Sequence, residues 1–296
     1  MDIRFDERVA IVTGAGRGLG RSHALGLAAR GAKVAVIDFD PSANGAPTAA
    51  SDVVAEIRAK GGDALAIGTN VADAASVQTM LGQVLDRWKR VDILVNNAGI
   101  LRDKTFAKMD LADFKLVLDV HVMGTVNCTK AIWDTMREQK YGRIVLTSSS
   151  SGLYGNFGQS NYGTAKAAML GLMNVLHLEG EKHNIRTNIL LPTAATKMTE
   201  GLIPEDAAKL MTPESITPGV LFLVSENAPS RVILCAGAGS FARTLVTETA
   251  GVYFPEAERT PENIAASFDR ISDPSGEVTL TSAFQQTDKL VALARQ

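Results

Sequence analysis

Short, uninterrupted apolar segments alternate with longer helix-like segments over roughly the first 240 residues of the chain. Apolar segments of this length, without polar alternation, are typical of strands buried on both faces of a sheet. Seven are recognisable: VAIVT at 9–13, KVAVID at 33–38, ALAIG at 64–68, VDILVN at 91–96, RIVLT at 143–147, NILL at 188–191 and VILC at 232–235. The Ala- and Leu-rich segments between them are long enough for crossover helices. The alternation predicts an α/β fold with a doubly wound parallel sheet of about seven strands and helices on both faces.

The pattern changes after Gly239. Residues 240–296 contain no further clear strand–helix unit, and Pro255, Pro261 and Pro274 interrupt them. The segment that begins at Pro261 is typical of a helix start. We therefore predict one domain over residues 1–239 and a C-terminal extension, residues 240–296, that packs on the same domain.

Composition limits the classes of function. Of the 296 residues 46% are hydrophobic, and the net charge is −2, so the chain can bury a large core but has no broad attraction for nucleic acid or anionic membranes. The two cysteines, Cys128 and Cys235, are too few for a disulfide framework and favour a reducing compartment. There is no apolar run of ~18 residues, no apolar N-terminal signal region and no Ser-Lys-Leu-type C-terminal address. We expect a soluble cytoplasmic enzyme with a small-molecule substrate and without a nucleic-acid or membrane partner.

A glycine-rich segment, TGAGRGLG at 13–20, follows the first predicted strand and precedes a helix-like segment. A strand, a glycine turn and a helix together bind pyrophosphate, because the glycines let backbone N–H groups approach and the helix N-terminus supplies positive potential. Asp38 ends the second strand, 18 positions after Gly20. A carboxylate there can bind the ribose hydroxyls of an adenosine and would repel a 2′-phosphate. The pattern predicts a dinucleotide site.

The cation at Arg17 could pair with a 2′-phosphate, so NADP stays open, but Asp38 favours NAD. The NNAG segment at 96–99 follows the fourth strand, where small residues let the backbone pack beside the cofactor ribose. Asn70 and Val71 follow the third strand, and we expect them at the edge of the adenine. The residues predicted to bind the dinucleotide in this part of the chain are Gly14, Arg17, Gly18, Leu19, Gly20, Asp38, Asn70, Val71, Asn97, Ala98 and Gly99.

Tyr162 and Lys166 form a second constellation. Because they are four residues apart, they share one face of a helix. A free phenol has a pKa of ~10, too high for a base near neutral pH, and a nearby ammonium is expected to lower it. The pair could then carry a proton to or from an alcohol or carbonyl, and both residues are predicted to contact the nicotinamide end of the cofactor.

Ser149 lies 13 residues before Tyr162, after the fifth strand. Its hydroxyl could hydrogen-bond the substrate oxygen and stabilise developing charge there. Ser148, Ser150 and Ser151 are neighbours, and composition alone does not choose among the four serines.

Together these motifs resemble those of the short-chain dehydrogenase/reductase family. The resemblance rests on TGAGRGLG, NNAG, Ser149 and the Tyr162–Lys166 pair, and it covers roughly residues 5–239. It implies a single Rossmann-type domain and hydride transfer between a nicotinamide and an alcohol or carbonyl. It also implies Tyr162 as acid/base, Lys166 as the cation that tunes it, and, by its spacing to the tyrosine, Ser149 as the residue that orients the substrate.

A narrower resemblance is to the (3R)-hydroxyacyl-CoA dehydrogenase domains of type 2 peroxisomal multifunctional enzymes. It rests on NNAGILRDKTFA at 96–107, KYGRI at 140–144 and YGNFGQSNY at 154–162, and it continues at 198–199, 204–206, 237–239 and 240–273. It implies oxidation of a (3R)-3-hydroxyacyl-CoA to a 3-ketoacyl-CoA with NAD. Since the chain has no room for a hydratase domain, we expect a free-standing dehydrogenase. The alternative is the same chemistry on a steroid, terpene or other apolar secondary alcohol.

The sequence departs from the wider family at two places. His121 stands where most members have a catalytic Asn, whose backbone carbonyl a histidine could also supply; a proton relay and a simply packed histidine both stay open. Pro192-Thr193 replaces the common Pro-Gly after the sixth strand, and Pro192 and Thr196 are expected as further cofactor contacts. We expect no metal ion.

The loop after Pro192 carries Met198, Leu202 and Ile203, which we expect to cover the substrate with apolar side chains. Such a cover suits an acyl chain, a steroid or a terpene equally. Basic residues near the entrance could bind the phosphates of CoA or could simply be solvated surface charges. The candidates are Arg102, Lys104, Lys108 and Lys197.

Two helix-like segments, 117–132 and 162–178, carry small and apolar residues at helical spacing. Examples are Gly124, Cys128, Ala131, Ala165, Ala168 and Leu172. The family resemblance implies that these helices pair between subunits of a homodimer or homotetramer. The same periodicity also fits the core of a monomer.

Overall fold

An eight-stranded sheet with the order β3-β2-β1-β4-β5-β6-β7-β8 forms the centre of the computed structural model, which describes residues 2–39, 48–194 and 204–295. The strands are β1 Val9–Thr13, β2 Lys33–Asp38, β3 Ala64–Gly68, β4 Ile93–Asn96, β5 Gly142–Thr147, β6 Ile185–Thr193, β7 Ile233–Gly237 and β8 Ser240–Thr244. Strands β1 to β7 pair in parallel. The predicted doubly wound α/β fold is confirmed.

The strand order reverses at β1. This strand pairs with β2 on one side and with β4 on the other, so the chain leaves β1 and β4 in opposite directions. In a sheet of this kind, ligands bind in the crevice outside the carboxyl ends of the strands at the point of reversal. The fold therefore places the glycine-rich segment after β1 and the NNAG segment after β4 at the two sides of one crevice.

Helices lie on both faces of the sheet. The helices that precede β8 are α1 Gly18–Ala29, α2 Ala49–Ala59, α3 Ala74–Trp88, α4 Leu111–Leu118, α5 Gly124–Gln139, α6 Ser150–Leu153, α7 Ser160–Gly180, α8 Glu205–Leu210 and α9 Pro213–Leu223. The chain after β8 forms α10 Pro261–Ala266, α11 Phe268–Ile271 and α12 Ala283–Ala294. A single π-helical turn, Asp119–Met123, joins α4 to α5. Over the ranges that the structure describes, none of the helices has the length and apolarity that a membrane span requires.

Two apolar clusters form the core, one on each face of the sheet. Buried side chains of α1, α2 and α9 pack on one face, and those of α3, α5 and α7 pack on the other. Of the small and apolar residues singled out on α5 and α7, Cys128 belongs to the second cluster, and Gly124 and Ala165 are also buried. Ala131, Ala168 and Leu172 are partly buried and pack against that cluster. Three of the six residues thus lie inside the monomer, and pairing of these helices between subunits stays a prediction.

The eighth strand was not predicted. Ala238 and Gly239 have positive φ angles of 50° and 73° and form a two-residue turn after β7, so β8 returns antiparallel to it. All but the last residue of β8 are exposed. Because it lies at the sheet edge, its sequence SFART lacks the continuous apolar character that identified the other strands.

The described contacts divide the chain into two units, Met1–Arg243 and Thr244–Gln296. The first unit extends past Gly239, the predicted end of the domain, because β8 belongs to the sheet. The second unit contains α10, α11 and α12, an antiparallel bridge between Glu248 and Val278, and an ion pair of 2.8 Å between Glu248 and Lys289. None of its described residues is buried. Whether residues 240–296 pack on the first unit stays a prediction.

Candidate active site

The glycine-rich segment lies at the carboxyl end of β1 and leads into α1. Gly18, Leu19 and Gly20 form the first turn of this helix, and the preceding residue, Arg17, is exposed and makes no side-chain cap hydrogen bond. The first backbone N–H groups of a helix have no partners within the helix. Because the Arg17 side chain does not cap these N–H groups, the groups can bind an anionic phosphate.

Asp38, at the end of β2, contacts the same turn. Its Oδ2 accepts a hydrogen bond from the Gly16 N–H at 2.8 Å, and its Oδ1 accepts one from the Phe39 N–H at 2.8 Å. A β-carbon at position 16 would overlap the Asp38 carboxylate, so only glycine permits this approach. The carboxylate is therefore fixed beside the glycine turn.

The NNAG segment after β4 is tied to the end of β1 by Thr13. The Thr13 Oγ1 accepts hydrogen bonds from the N–H groups of Asn97 and Ala98, both at 3.0 Å. The Asn97 side chain adds two further hydrogen bonds between the same segments: its Nδ2 donates to the carbonyls of Thr13 at 3.0 Å and of Gly14 at 3.1 Å. The side-chain nitrogen of Asn97, a predicted cofactor contact, thus hydrogen-bonds to the start of the glycine-rich segment.

Asn70 and Val71 follow β3, the neighbour of β2. The Asn70 Oδ1 accepts a hydrogen bond from the Ala72 N–H at 3.1 Å, and the carbonyl of buried Val71 accepts one from Asn127 of α5 at 2.9 Å. Both residues therefore lie at the same carboxyl edge of the sheet as Asp38.

These groups fit a dinucleotide. Open helix N–H groups suit a pyrophosphate, a fixed carboxylate suits ribose hydroxyls, and the small residues Ala98 and Gly99 leave space in the crevice between β1 and β4. The residues that would hold the cofactor are those of the glycine turn, Asp38 and the turns after β3 and β4.

Tyr162 and Lys166 lie on one face of α7, next to the turn after β5. The Lys166 Nζ is buried, donates to the Thr147 carbonyl at 2.7 Å and lies 5.6 Å from the centroid of the Tyr162 ring. The hydroxyl of Ser149 hydrogen-bonds to the phenol of Tyr162 and also accepts the Ser151 N–H at 3.2 Å as the cap of α6. The structure thus brings the three predicted catalytic groups together.

Among the four serines, only Ser149 has this arrangement. Ser148 is buried and donates to the Lys166 carbonyl at 2.8 Å, whereas Ser150 is exposed. Ser151 donates to the Gln159 side chain at 2.7 Å.

Burial moves both titrating groups away from their charged forms. It raises the pKa of Tyr162; the hydrogen bond with Ser149 opposes this rise, and the charge of Asp103 adds to it. Burial also lowers the pKa of Lys166 to about 7. In this structure burial outweighs the other influences on the phenol, and the expected lowering of the tyrosine pKa by a charged Lys166 stays a prediction.

His121 is buried within the π-helical turn and packs against Tyr162. The two rings meet edge to face with centroids 5.3 Å apart, and a β-carbon on Gly99 would overlap the imidazole. Its Nε2 lies 3.0 Å from the nitrogen and 2.8 Å from the oxygen of Ile100, while its buried Nδ1 has no hydrogen-bond partner within the described ranges. Burial lowers the pKa of His121 to about 3, and the charge of Lys166 acts in the same direction.

The remaining predicted residues are less closely associated with this centre. Pro192 lies near the carboxyl end of β6, paired with Ala236. Arg102 and Lys104 both face Asp113, at 3.7 and 3.9 Å, which offsets part of their charge, and Lys108 is exposed. Several predicted residues lie outside the described ranges: Thr196, Lys197, Met198, Leu202 and Ile203.

Three residues beside the site were not predicted: Thr13, Asp103 and Gln159. Thr13 is the first residue of the TGAGRGLG motif and was visible in the sequence, but its partners lie 84 and 85 positions away. Gln159 bonds Asp103 across 56 positions, and no sequence pattern relates the two. Over the described ranges, no group of three or more His, Cys, Asp or Glu side chains is arranged to hold a metal ion.

A family model described as short chain dehydrogenase matches residues 8–207. Peroxisomal multifunctional enzyme type 2 of Mus musculus is 43% identical over 277 residues, which are 92% of this chain and 37% of the mouse protein. A short-chain type dehydrogenase/reductase of Mycobacterium tuberculosis is 42% identical over 274 residues, which are 91% of this chain and 96% of that protein.

Among solved structures, full-length peroxisomal multifunctional enzyme type 2 from Drosophila melanogaster matches with a TM-score of 0.82 and 34% sequence identity. The match covers 99% of this chain and 50% of the Drosophila chain. This chain thus spans about a third of the mouse enzyme and half of the Drosophila one.

Proposed function

Because this chain belongs to the short-chain dehydrogenase/reductase family, we propose that it interconverts a secondary alcohol and a ketone with NAD(H), and that its substrates are (3R)-3-hydroxyacyl-CoA and 3-ketoacyl-CoA. The chain is an enzyme of that family, whose members use NAD(H) or NADP(H). The observation that carries the proposal is the convergence of Ser149, Tyr162 and Lys166 beside a dinucleotide crevice. The resemblance to peroxisomal multifunctional enzymes supports the choice of an acyl-CoA.

In the proposed mechanism the bound dinucleotide supplies the acceptor for the hydride that leaves the alcohol carbon. Tyr162, as phenolate, removes the hydroxyl proton of the substrate, and in the reverse direction the phenol returns it to the ketone oxygen. Ser149 donates a hydrogen bond to the same oxygen and stabilises the charge that develops there. A phenolate at Tyr162 in turn favours the ammonium form of Lys166, so the protonation of the two groups is coupled.

The contacts of His121 support packing over a proton relay. With a pKa of about 3 the imidazole stays neutral at physiological pH and does not carry a proton as imidazolium. Its ring fills the space between Gly99 and the Tyr162 ring. We assign it the role of holding the phenol in place.

Asp38 supports NAD over NADP. Its carboxylate is held by two backbone N–H groups and can accept hydrogen bonds from ribose hydroxyls, but it would repel a 2′-phosphate. Arg17 is exposed and flanks the turn, where it offsets part of that repulsion. Titration with the two reduced cofactors, followed by tryptophan fluorescence, is expected to give at least about tenfold tighter binding of NADH. Equal affinities would contradict this assignment.

The substrate proposal is tested by turnover. Purified protein with NAD is mixed with a (3R)-3-hydroxyacyl-CoA or with its (3S) isomer, and absorbance at the NADH band is followed. Rapid turnover selective for the (3R) isomer is the expected result. If neither isomer reacts although NADH binds, the alternative substrates are steroids, terpenes and other apolar secondary alcohols, and a panel of these would be assayed next.

We also propose that the chain forms a homodimer or homotetramer. Val175 and Leu178 on α7 are 53% and 49% exposed, an arrangement that favours burial against a second copy. Sedimentation equilibrium is expected to give the mass of two or four chains. The double variant V175D/L178D is expected to give the mass of a smaller assembly, because a charged residue at each position opposes burial. A monomeric wild-type protein at micromolar concentration would contradict the proposal.

A further inference from the structure

The side-chain amide of Gln159 lies where three segments around the candidate active site meet. These are the loop after β4 with Asp103, the turn after β5 with Ser149 and Ser151, and the start of α7 with Tyr162. Gln159 is partly buried and immediately precedes α7. The Gln159 side chain thus contacts the segments that carry Asp103 and Ser149, and it lies directly before the helix that carries the Tyr162 phenol.

Both ends of the amide are engaged. Its Nε2 donates to Asp103 Oδ2 at 2.6 Å, and its Oε1 accepts from Ser151 Oγ at 2.7 Å and from Asn156 Nδ2 at 3.0 Å. A carboxylate can only accept, so Nε2 must face Asp103 and Oε1 must face the other two groups. All three contacts are satisfied in one orientation of the amide only.

Ser151 connects Gln159 to Ser149. The Ser151 hydroxyl donates to Gln159, and its backbone N–H donates to the Ser149 Oγ at 3.2 Å. Because the Ser149 oxygen accepts this bond, its own proton remains for the phenol of Tyr162 or for a substrate oxygen. The position of the Ser149 hydroxyl therefore depends on a turn that Gln159 holds.

We propose that Gln159 is a positioning residue, which sets the geometry between Ser149 and Tyr162 by holding the two loops against the start of α7, and that Asp103, held by the same amide, places a negative charge at the start of α7, where Tyr162 lies. This inference rests on the proposed alcohol–ketone function and extends it to residues outside the catalytic set. A fixed negative charge near a phenol disfavours the phenolate. The contribution of Asp103 to the raised pKa of Tyr162 agrees with that placement.

Other contacts join the loops independently of Gln159. The Lys104 N–H donates to the Gly158 carbonyl at 2.9 Å, and the buried side chain of Asn161 donates to the Arg102 carbonyl at 2.9 Å. Loss of the Gln159 amide should therefore leave the loops assembled and displace Ser149 locally. Displacements of this kind affect rate more than stability, since about 1 Å at a reacting group can cost a hundredfold.

Four variants separate the parts of the proposal. Gln159→Leu removes both ends of the amide. Gln159→Glu keeps the acceptor for Ser151 but sets a second carboxylate against Asp103. Asp103→Asn keeps an acceptor for Gln159 and removes the charge. Gln285→Glu, at the exposed start of α12, is the matched control for a glutamine-to-glutamate change.

Steady-state kinetics over a pH series and thermal melting are measured for each variant. Gln159→Leu is expected to lower kcat by about tenfold to a hundredfold, with KM and NADH affinity within about twofold of wild type. Gln159→Glu is expected to show a similar loss of kcat at neutral pH, because its carboxylate repels that of Asp103. As the pH falls, one proton shared by these two carboxyl groups restores the hydrogen bond between them, so kcat is expected to recover. Asp103→Asn is expected to keep its maximal kcat and to move the pH profile to lower pH. The control is expected to behave as wild type.

Wild-type kcat in Gln159→Leu would overturn the positioning role, and so would a loss matched by a large drop in melting temperature. An unmoved pH profile in Asp103→Asn would overturn the role of that charge.

A measurement without turnover separates this inference from the proposed function. The chain has four tyrosines, so the titration of Tyr162 can be read as the phenolate absorbance of each protein minus that of the same protein carrying Tyr162→Phe. A shift to lower pH in Asp103→Asn supports the inference even if no alcohol is turned over. Turnover by the wild type with an unmoved titration would refute the Asp103 part alone.

Discussion

Tyr162 and Lys166 are both held away from their charged forms by burial. The phenol is the stable form of the tyrosine at neutral pH, so the form that accepts a proton from an alcohol becomes more abundant as the pH rises. For the proposed reaction, alcohol oxidation should therefore accelerate toward alkaline pH, whereas ketone reduction, which needs the phenol, should not.

Replacing Tyr162 by Phe removes the proton carrier and keeps the ring that packs against His121. General acid–base groups contribute about a hundredfold to ten-thousandfold to rate, so kcat should fall by at least the lower figure. NADH affinity should stay within about twofold, since the hydroxyl faces Ser149. Stopped-flow absorbance and a fluorescence titration measure the two quantities. Retention of most activity would contradict the assigned role.

His23 makes folding sensitive to acid. It is fully buried between α1 and α9, with its Nδ1 2.9 Å from Thr217 Oγ1, and burial lowers its pKa from 6.5 to about 3. Between these values the unfolded chain binds more protons than the folded one, so the free energy of unfolding falls as the pH drops from 6.5 toward 3. This single group contributes a slope of up to about 1.4 kcal/mol per pH unit.

Urea unfolding at a series of pH values tests this contribution. The variant His23→Asn is expected to have a shallower acid slope than wild type, by up to the same amount per pH unit. Identical slopes for the two proteins would be inconsistent with a buried neutral His23.

Strands were the most predictable elements. β1, β2 and β3 have the predicted bounds, because each is a largely apolar run between turn residues. β6 extends beyond the predicted NILL to Ile185 and Thr193, since pairing with β5 and β7 continues through polar positions that hydrophobicity does not reveal. The contact between Gln159 and Asp103 joins positions 56 residues apart, so it became visible only when the fold brought the loop after β4 to the start of α7.

At the level of elements, Thr13 joins the turns after β1 and β4. Thr13→Val keeps the shape of the side chain and leaves the N–H groups of Asn97 and Ala98 without their acceptor. An unsatisfied group costs about 1–3 kcal/mol when it is fully buried; these two groups are partly buried, so the free energy of unfolding should fall by about 1–2 kcal/mol. NADH affinity should fall as well, because both turns line the crevice.

Thr79→Val is the matched control for this substitution. Its hydroxyl is exposed on α3 and donates only to the Ala75 carbonyl at 3.0 Å, so the change should have little effect. Urea unfolding and a fluorescence titration measure stability and affinity. Equal stability of the two variants would show that Thr13 does not brace the turns.

For the molecule as a whole, the two units differ in how they are stabilised. The first contains both apolar clusters. The second has 53 residues, none of its described ones buried, and it exposes large apolar side chains such as Phe268, Phe284 and Leu290. A segment without a core of its own cannot offset the conformational entropy of folding.

A peptide of residues 244–296 should therefore be largely unfolded in isolation. Circular dichroism is expected to show a mostly disordered spectrum without a cooperative thermal transition. A cooperative transition of the isolated peptide would identify it as an independent domain, against the predicted extension.

The hydrogen bond between the Gly16 N–H and the Asp38 carboxylate constrains which mutations at the coenzyme site this fold could accept during evolution. A mutation that removes the carboxylate also removes the acceptor of the Gly16 N–H, and the Ala49 side chain still leaves too little room for a β-carbon at position 16. Descendants that switch coenzyme would need at least two coordinated replacements. A single replacement of Asp38 is therefore expected to loosen the glycine turn as well as to change the charge beside it, which makes a one-step change of coenzyme preference costly.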